Sequence, residues 1–222
     1  MRKAAAFKAT EYLRDGYVVG LGTGRTAAYA IERMAAMARD GLKFICIPTS
    51  EASASKARSL GLELSTLDEH PEIDVTIDGA DEFDAHLNLI KGKGGALVRE
   101  KIVASATREE IIVVDEEKSV RMLGEKEAVP VELLRFGFRV TLRKLEALGC
   151  NPKLRSNDNA LYFSDNGNLI ADCRFGPLSN PHKLHEELNN IPGVVDNGIF
   201  VGLAKRIIVG SRNGVHVIEK LT

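Results

Sequence analysis

Two aspartates stand three positions apart in Asp78-Gly79-Ala80-Asp81-Glu82. The run Lys91-Gly92-Lys93-Gly94-Gly95 follows, with Arg99-Glu100-Lys101 just behind it. Carboxylates, lysines and glycines in this density suit proton transfer beside a carbonyl group. A carboxylate in a pocket takes the proton. Lysines and backbone N–H groups of a glycine loop hold the oxyanion that results. Glu100 is the candidate base. Its spacing also fits a solvated helix face beside Lys101, and spacing alone leaves both readings open. Asp78 and Asp81 repel each other unless cations or donors face them, and Lys91 and Lys93 are the nearest cations in sequence. Paired carboxylates can also hold Mg²⁺, but the lysines already supply positive charge there.

A second loop, Gly22-Thr23-Gly24-Arg25-Thr26, lies between an apolar run and a helical pattern. A helix start offers free N–H groups and a positive dipole end. Thr23 and Thr26 add hydroxyls, and Arg25 can grip a phosphate with two parallel hydrogen bonds. The same five residues also make a plain tight turn. Gly22, Gly24 and Ala27 fit G-x-G-x-x-A, but the next strand ends in Pro48-Thr49-Ser50. A dinucleotide site needs an acid there to hold a ribose. No Walker loop is present.

Positioning such groups requires a sheet edge. Ile73-Asp74-Val75-Thr76-Ile77 reads as a short buried strand, so Asp78 falls where strand becomes loop. In open α/β sheets that edge binds ligands. Upstream, the pattern predicts a helix over 2–14, a strand over 17–21 and a helix over 26–39. A strand over 43–47 follows, stopped by Pro48, then a helix over 51–59 capped by Thr49-Ser50, and a strand near 62–64. Downstream come a helix over 96–105 and a strand over 111–115. Strands alternating with helices mean a mainly parallel sheet. From about residue 129 the order becomes β-α-β-β-α-β, as in the ferredoxin-like split unit. It comprises strands 129–133, 151–155, 169–174 and 193–200, with helices 139–148 and 180–190. Strands 206–210 and 215–218 return to the first sheet. The expected fold is therefore α/β. A Rossmann-like catalytic domain takes 1–128 plus 203–222, and a smaller α+β domain takes 129–202.

The 222 residues are 44% hydrophobic and 27% charged, with a formal net charge of −1. That balance suits a globular protein with no general attraction to nucleic acid or to anionic membranes. No apolar run approaches the length of a spanning helix, and Lys8 and Glu11 interrupt a would-be signal segment. Cys46, Cys150 and Cys173 are odd in number and widely spaced, which suits reduced thiols and a cytoplasmic location. His182 and His185 lack further ligands nearby, so a solvated helix face is expected rather than a metal site.

Six segments carry a resemblance: Gly20-Leu21-Gly22-Thr23-Gly24-Arg25-Thr26-Ala27, Pro48-Thr49-Ser50, Asp78 to Glu82, Lys91 to Leu97, Glu100-Lys101-Ile102, and Ile191-Pro192-Gly193-Val194-Val195. In this order they resemble ribose-5-phosphate isomerase of the A type, over nearly the whole chain. The resemblance implies interconversion of ribose 5-phosphate and ribulose 5-phosphate in the pentose phosphate pathway, with no metal or organic cofactor. It implies Glu100 as the base, moving a proton between C1 and C2 through an enediolate. It implies that Asp78 and Asp81 bind sugar hydroxyls and aid ring opening, and that Lys91 stabilises the oxyanion. Thr23, Gly24, Arg25 and Thr26, together with Gly79, Ala80, Gly92, Lys93, Gly94 and Lys118, would line the substrate. It further implies a homodimer or homotetramer. Arg25 stands where the family usually has Ser, and Lys93 where it has Gly or Arg. Two other readings remain open at this point. One is a CoA-transferase-like enzyme with Glu100 as nucleophile. The other is a non-catalytic sugar-phosphate sensor, which would need a DNA-binding segment that the residues before Tyr17 are too few to supply.

Overall fold

The structure is a computed structural model that describes residues 1–158 and 160–219. Residues 220–222, assigned above to the first domain, lie outside the described residues. In chain order the elements are α1 (Arg2–Thr10), β1 (Tyr17–Leu21), α2 (Arg25–Arg39), β2 (Phe44–Pro48), α3 (Glu51–Ser59), β3 (Ile73–Asp78), β4 (Glu82–Phe83) and β5 (Leu89–Ile90). Next come α4 (Leu97–Ser105), β6 (Thr107–Asp115), a 3₁₀ turn (Glu116–Lys118), β7 (Val129–Leu133), α5 (Phe138–Ala147) and β8 (Asn151–Leu154). The chain then runs through β9 (Ser156–Asn157), β10 (Ala160–Leu161), β11 (Leu169–Arg174), α6 (Pro181–Asn189), β12 (Val194–Asn197), β13 (Ile199–Phe200), β14 (Ala204–Ser211) and β15 (Gly214–Glu219).

The chain divides into two compact units. Among the described residues, the first comprises Met1–Ala80, Arg99–Lys118 and residues 202–219. Its sheet has the order β15-β14-β6-β3-β1-β2 and is parallel except for β15. The inner strands are β-branched because helices cover both faces of a parallel sheet. Ile73, Val75, Ile77, Ile111 and Val113 are buried. The α2 stripe of Ala30, Ile31, Met34 and Ala35 packs into the same core. Ser50 caps α3 by accepting the N–H of Ser53. Pro48 was expected to stop β2 but pairs with Leu21 at the end of it. β2 is the outermost strand on that side, so the missing N–H costs no ladder bond. The expected strand at 62–64 shrinks to one bridge, Cys46 to Leu64. β6 begins four residues earlier than its apolar run. Thr107 pairs with Ile73, and Glu109 is ion-paired with Arg206.

The second unit comprises Asp81–Val98 and Ser119–Val201. Its four-stranded antiparallel sheet has the order β12-β7-β11-β8, with α5 and α6 as the two crossovers. This is the split β-α-β-β-α-β arrangement. The unit exceeds the expected 129–202 because β5 pairs with both β4 and β13, and the Val120 N–H donates to the Phe83 carbonyl. The single strand expected over 193–200 is two. Buried Asn197 accepts the N–H of Ile199, and the Gly198 N–H turns to the Pro130 carbonyl. Residues 199–200 thereby leave one sheet for another.

Candidate active site

The candidate residues fall into two sets, one on each unit. In the first unit Asp78 ends β3 and is 1% exposed. Its Oδ1 accepts the N–H of Thr23 at 3.0 Å and the N–H of Gly79 at 2.6 Å. The facing position is Gly22, where a Cβ would sit 2.2 Å from that oxygen. Only glycine lets the two strand ends approach so closely. The Thr23 hydroxyl turns inward. It donates to Ser50 Oγ at 2.8 Å, Ser50 donates to Ser53 Oγ, and Ser53 donates to the Gly22 carbonyl at 2.7 Å. Thr49 closes the network at 2.7 Å from Thr23 Oγ1. Both donors of Thr23, read from the sequence as substrate ligands, are therefore engaged within the protein and shape the loop.

Gly24 is the N-cap of α2, so the first-turn N–H groups of Arg25, Thr26 and Ala27 have no partner inside the helix. Arg25 is exposed, and no hydrogen bond or ion pair engages it among the described residues. The arrangement is a helix start with N–H groups unpaired inside the helix and an exposed cation beside it, a geometry able to receive an anion.

Glu100 lies in the first turn of α4 and is only 5% exposed. The alternative of a solvated helix face therefore fails. Its neighbour Arg99 pairs with Glu51 at 2.9 Å, tying the start of α4 to that of α3. Lys118 closes the 3₁₀ turn after β6 and is half-buried.

In the second unit Lys91 is 1% exposed. Its N–H donates to the Gly198 carbonyl at 2.9 Å, and its Nζ lies 5.5 Å from the centre of the Phe200 ring. Asp81 donates its N–H to the Ile90 carbonyl, and its Oδ2 accepts the N–H of Lys93 at 2.9 Å. The Lys93 side chain, expected near the aspartates, instead meets both carboxylate oxygens of Glu127, at 2.8 and 2.9 Å. Its backbone, not its ammonium, faces Asp81. Gly92 is buried, whereas Gly94 is exposed; Gly79 and Ala80, in the first unit, are half-buried.

Glu82 has a role that the sequence did not signal. It is fully buried and accepts the N–H groups of Gly124, Lys126 and Glu127 at 2.6 to 2.7 Å. It anchors the loop that carries Glu127. Nothing in an Asp-Glu pair distinguishes such a loop anchor from a ligand.

Comparison with known proteins gives one consistent result. The family model described as ribose 5-phosphate isomerase A (phosphoriboisomerase A) matches residues 45–214. A protein from Synechococcus sp. (strain JA-3-3Ab) named ribose-5-phosphate isomerase A is 47% identical, covering 99% of this chain and 97% of its own. The solved ribose 5-phosphate isomerase from Plasmodium falciparum is 40% identical with a TM-score of 0.96, covering 100% of this chain and 98% of its own. A D-ribose-5-phosphate isomerase solved with phospho-erythronic acid is 38% identical with a TM-score of 0.94, covering 98% of this chain and 97% of its own.

Proposed function

This chain belongs to the ribose 5-phosphate isomerase A family, and we propose that Glu100 is the base by which it works. The chain is an aldose–ketose isomerase of the pentose phosphate pathway and interconverts ribose 5-phosphate and ribulose 5-phosphate. In the proposed mechanism the Glu100 carboxylate takes the proton from C2 of the open-chain aldose and returns it to C1 through an enediolate. Lys91 holds the oxyanion that develops on the carbonyl oxygen. Asp78 and Asp81 bind sugar hydroxyls and aid ring opening. Gly79, Ala80, Gly92 and Gly94 shape the walls around the sugar, and Lys118 adds a cation. The N–H groups of Gly24, Arg25 and Thr26, with the Arg25 guanidinium, receive the phosphate.

The burial of Glu100 carries this reading. Burial strips most of the water from the carboxylate, which strengthens its interaction with a bound substrate. The test is isomerisation in deuterium oxide with EDTA present, comparing the wild type with Glu100→Gln. Deuterium from solvent is expected in the wild-type product, and turnover is expected to fall about 10²- to 10⁴-fold in the variant. A variant with near-full turnover would remove Glu100 from the base role.

The sugar phosphate is the proposed small-molecule partner, and neither nucleic acid nor membrane is expected to bind. The three cysteines are free and buried, which supports a cytoplasmic location. Among the described residues no helix is long and apolar enough to cross a membrane. A homodimer or homotetramer is proposed from Phe136, 94% exposed, flanked by exposed Leu134 and Val140. Light scattering of the purified chain reads this directly.

A further inference from the structure

We propose that Arg155 is a positioning residue for the reaction: oriented by Asp172, it fixes the backbone of the Lys91–Gly95 loop. The proposal rests on the reading of that loop as catalytic. Arg155 follows β8, and its N–H donates to the Ile170 carbonyl at 2.8 Å. Its Nε donates to Asp172 Oδ2 at 3.0 Å and its Nη2 to Oδ1 at 2.5 Å. This two-point pairing fixes the guanidinium plane. The remaining Nη1 donates to the carbonyls of Gly92 and Lys93, at 3.0 and 3.1 Å. The Arg155 side chain is 14% exposed.

The consequence for the loop follows from peptide geometry. A trans peptide points its C=O and N–H in opposite directions. The peptide joining Gly92 to Lys93 is therefore gripped at both ends, its carbonyl by Arg155 and its N–H by Asp81. One residue earlier, the Lys91 N–H is held by Gly198. The next peptide also presents its carbonyl to Arg155, so the Gly94 N–H points away from the guanidinium. A lysine at 155 has no fork with which to serve a carboxylate and two carbonyls in one plane.

Tyr162 completes the arm. Its N–H donates to the Arg155 carbonyl at 2.9 Å. Its hydroxyl is 3.5 Å from the Gly94 carbonyl oxygen, and its ring centre is 5.8 Å from the guanidinium carbon. A Cβ on Gly95 would lie 2.0 Å from the Tyr162 oxygen, and Gly95 has φ +84°. Residues 155 and 162, at the two ends of the β9–β10 hairpin, thus both contact the loop.

The experiment compares kcat and KM of Arg155→Ala, Arg155→Lys, Asp172→Asn, Lys91→Ala and the Lys91→Ala/Arg155→Ala double variant with the wild type. Arg155→Ala is expected to lose about 10²-fold in kcat, the scale of a 1 Å misplacement, with KM within about threefold. Guanidinium ion, on the order of tens of millimolar, is expected to restore part of that loss where ammonium does not. The double variant is expected to lose far less than the product of the single losses, because both changes act through one loop. The proposal is overturned if Arg155→Ala keeps kcat within about twofold, or if the two losses multiply. If Arg155→Ala does not fold by circular dichroism, Arg155→Lys and Asp172→Asn decide on the same kcat criterion. Normal Arg155 variants beside an inactive Lys91→Ala sink the clamp alone. A fully active Lys91→Ala sinks the catalytic reading of the loop, and the clamp with it.

Discussion

The backbone N–H of Thr23 donates to Oδ1 of Asp78 at 3.0 Å, across 55 positions of sequence. One carboxylate therefore joins the Gly22–Thr26 loop to the end of β3, and Gly22 makes the approach possible. Gly22→Ala would place a Cβ 2.2 Å from that oxygen and 2.4 Å from the Asp78 Cα. Because backbone must move, we expect a stability loss of about 1–3 kcal/mol and a fall in kcat of about 10²-fold. Gly24→Ala is the control, since nothing lies within 4 Å of its Cβ position and only its φ of +107° is strained. Thermal melts and initial rates on both variants separate the two cases. Equal effects would show that the contact with Asp78 does not matter.

Arg25 sits exposed at the first turn of α2, where a phosphate would meet N–H groups. Its loss should weaken ground state and transition state alike. We expect Arg25→Ala to raise KM about 10-fold or more, the scale of a charge-assisted hydrogen bond, with kcat unchanged. An unchanged KM with reduced kcat would remove the phosphate role.

Lys93→Ala should be nearly silent. The side chain is 64% exposed and paired with Glu127, and such surface pairs contribute about 0–1 kcal/mol. What Lys93 gives the candidate site is its N–H to Asp81, which alanine keeps. A kcat drop beyond about threefold would mean that the ammonium itself acts on substrate.

These cases show which parts of the site the sequence makes legible. The strand that delivers Asp78 and the helix that follows Gly24 have strong periodic signals, and both form as expected. The short β4–β5 pairing does not, because two-residue strands carry no period. That pairing draws residues 81–98 into the second unit and moves the boundary away from residue 129. The backbone contact of Lys93 to Asp81 was not legible for a related reason: sequence proximity identifies a cation but cannot tell a backbone donor from a side-chain one. Arg155 and Asp172 are in register neighbourhoods of β8 and β11 that only the folded sheet defines. The burial of Glu100 likewise depends on packing, since Glu100-Lys101 alone fits a solvated face.

Cys46 gives a prediction in pH. The thiol is 0% exposed on β2, and burial pushes its pKa up to about 12, with Glu63 adding to the rise. An unfolded cysteine ionises near 8.5. Between these values the folded chain holds a proton that the unfolded chain has lost. Stability from this group is therefore complete below about pH 8.5 and declines as pH rises towards 12, by up to about 1.4 kcal/mol per pH unit. Cys46→Ala should lower stability at pH 7 through the small cavity it leaves, yet flatten the alkaline limb, because alanine has no proton to lose. Chemical denaturation of both chains between pH 8 and 11 measures the difference directly. Parallel alkaline limbs would mean that the Cys46 thiol keeps its ordinary pKa in the folded protein. In that event iodoacetamide at pH 9 should also label it in the native state, whereas the buried neutral thiol described here should react only after unfolding.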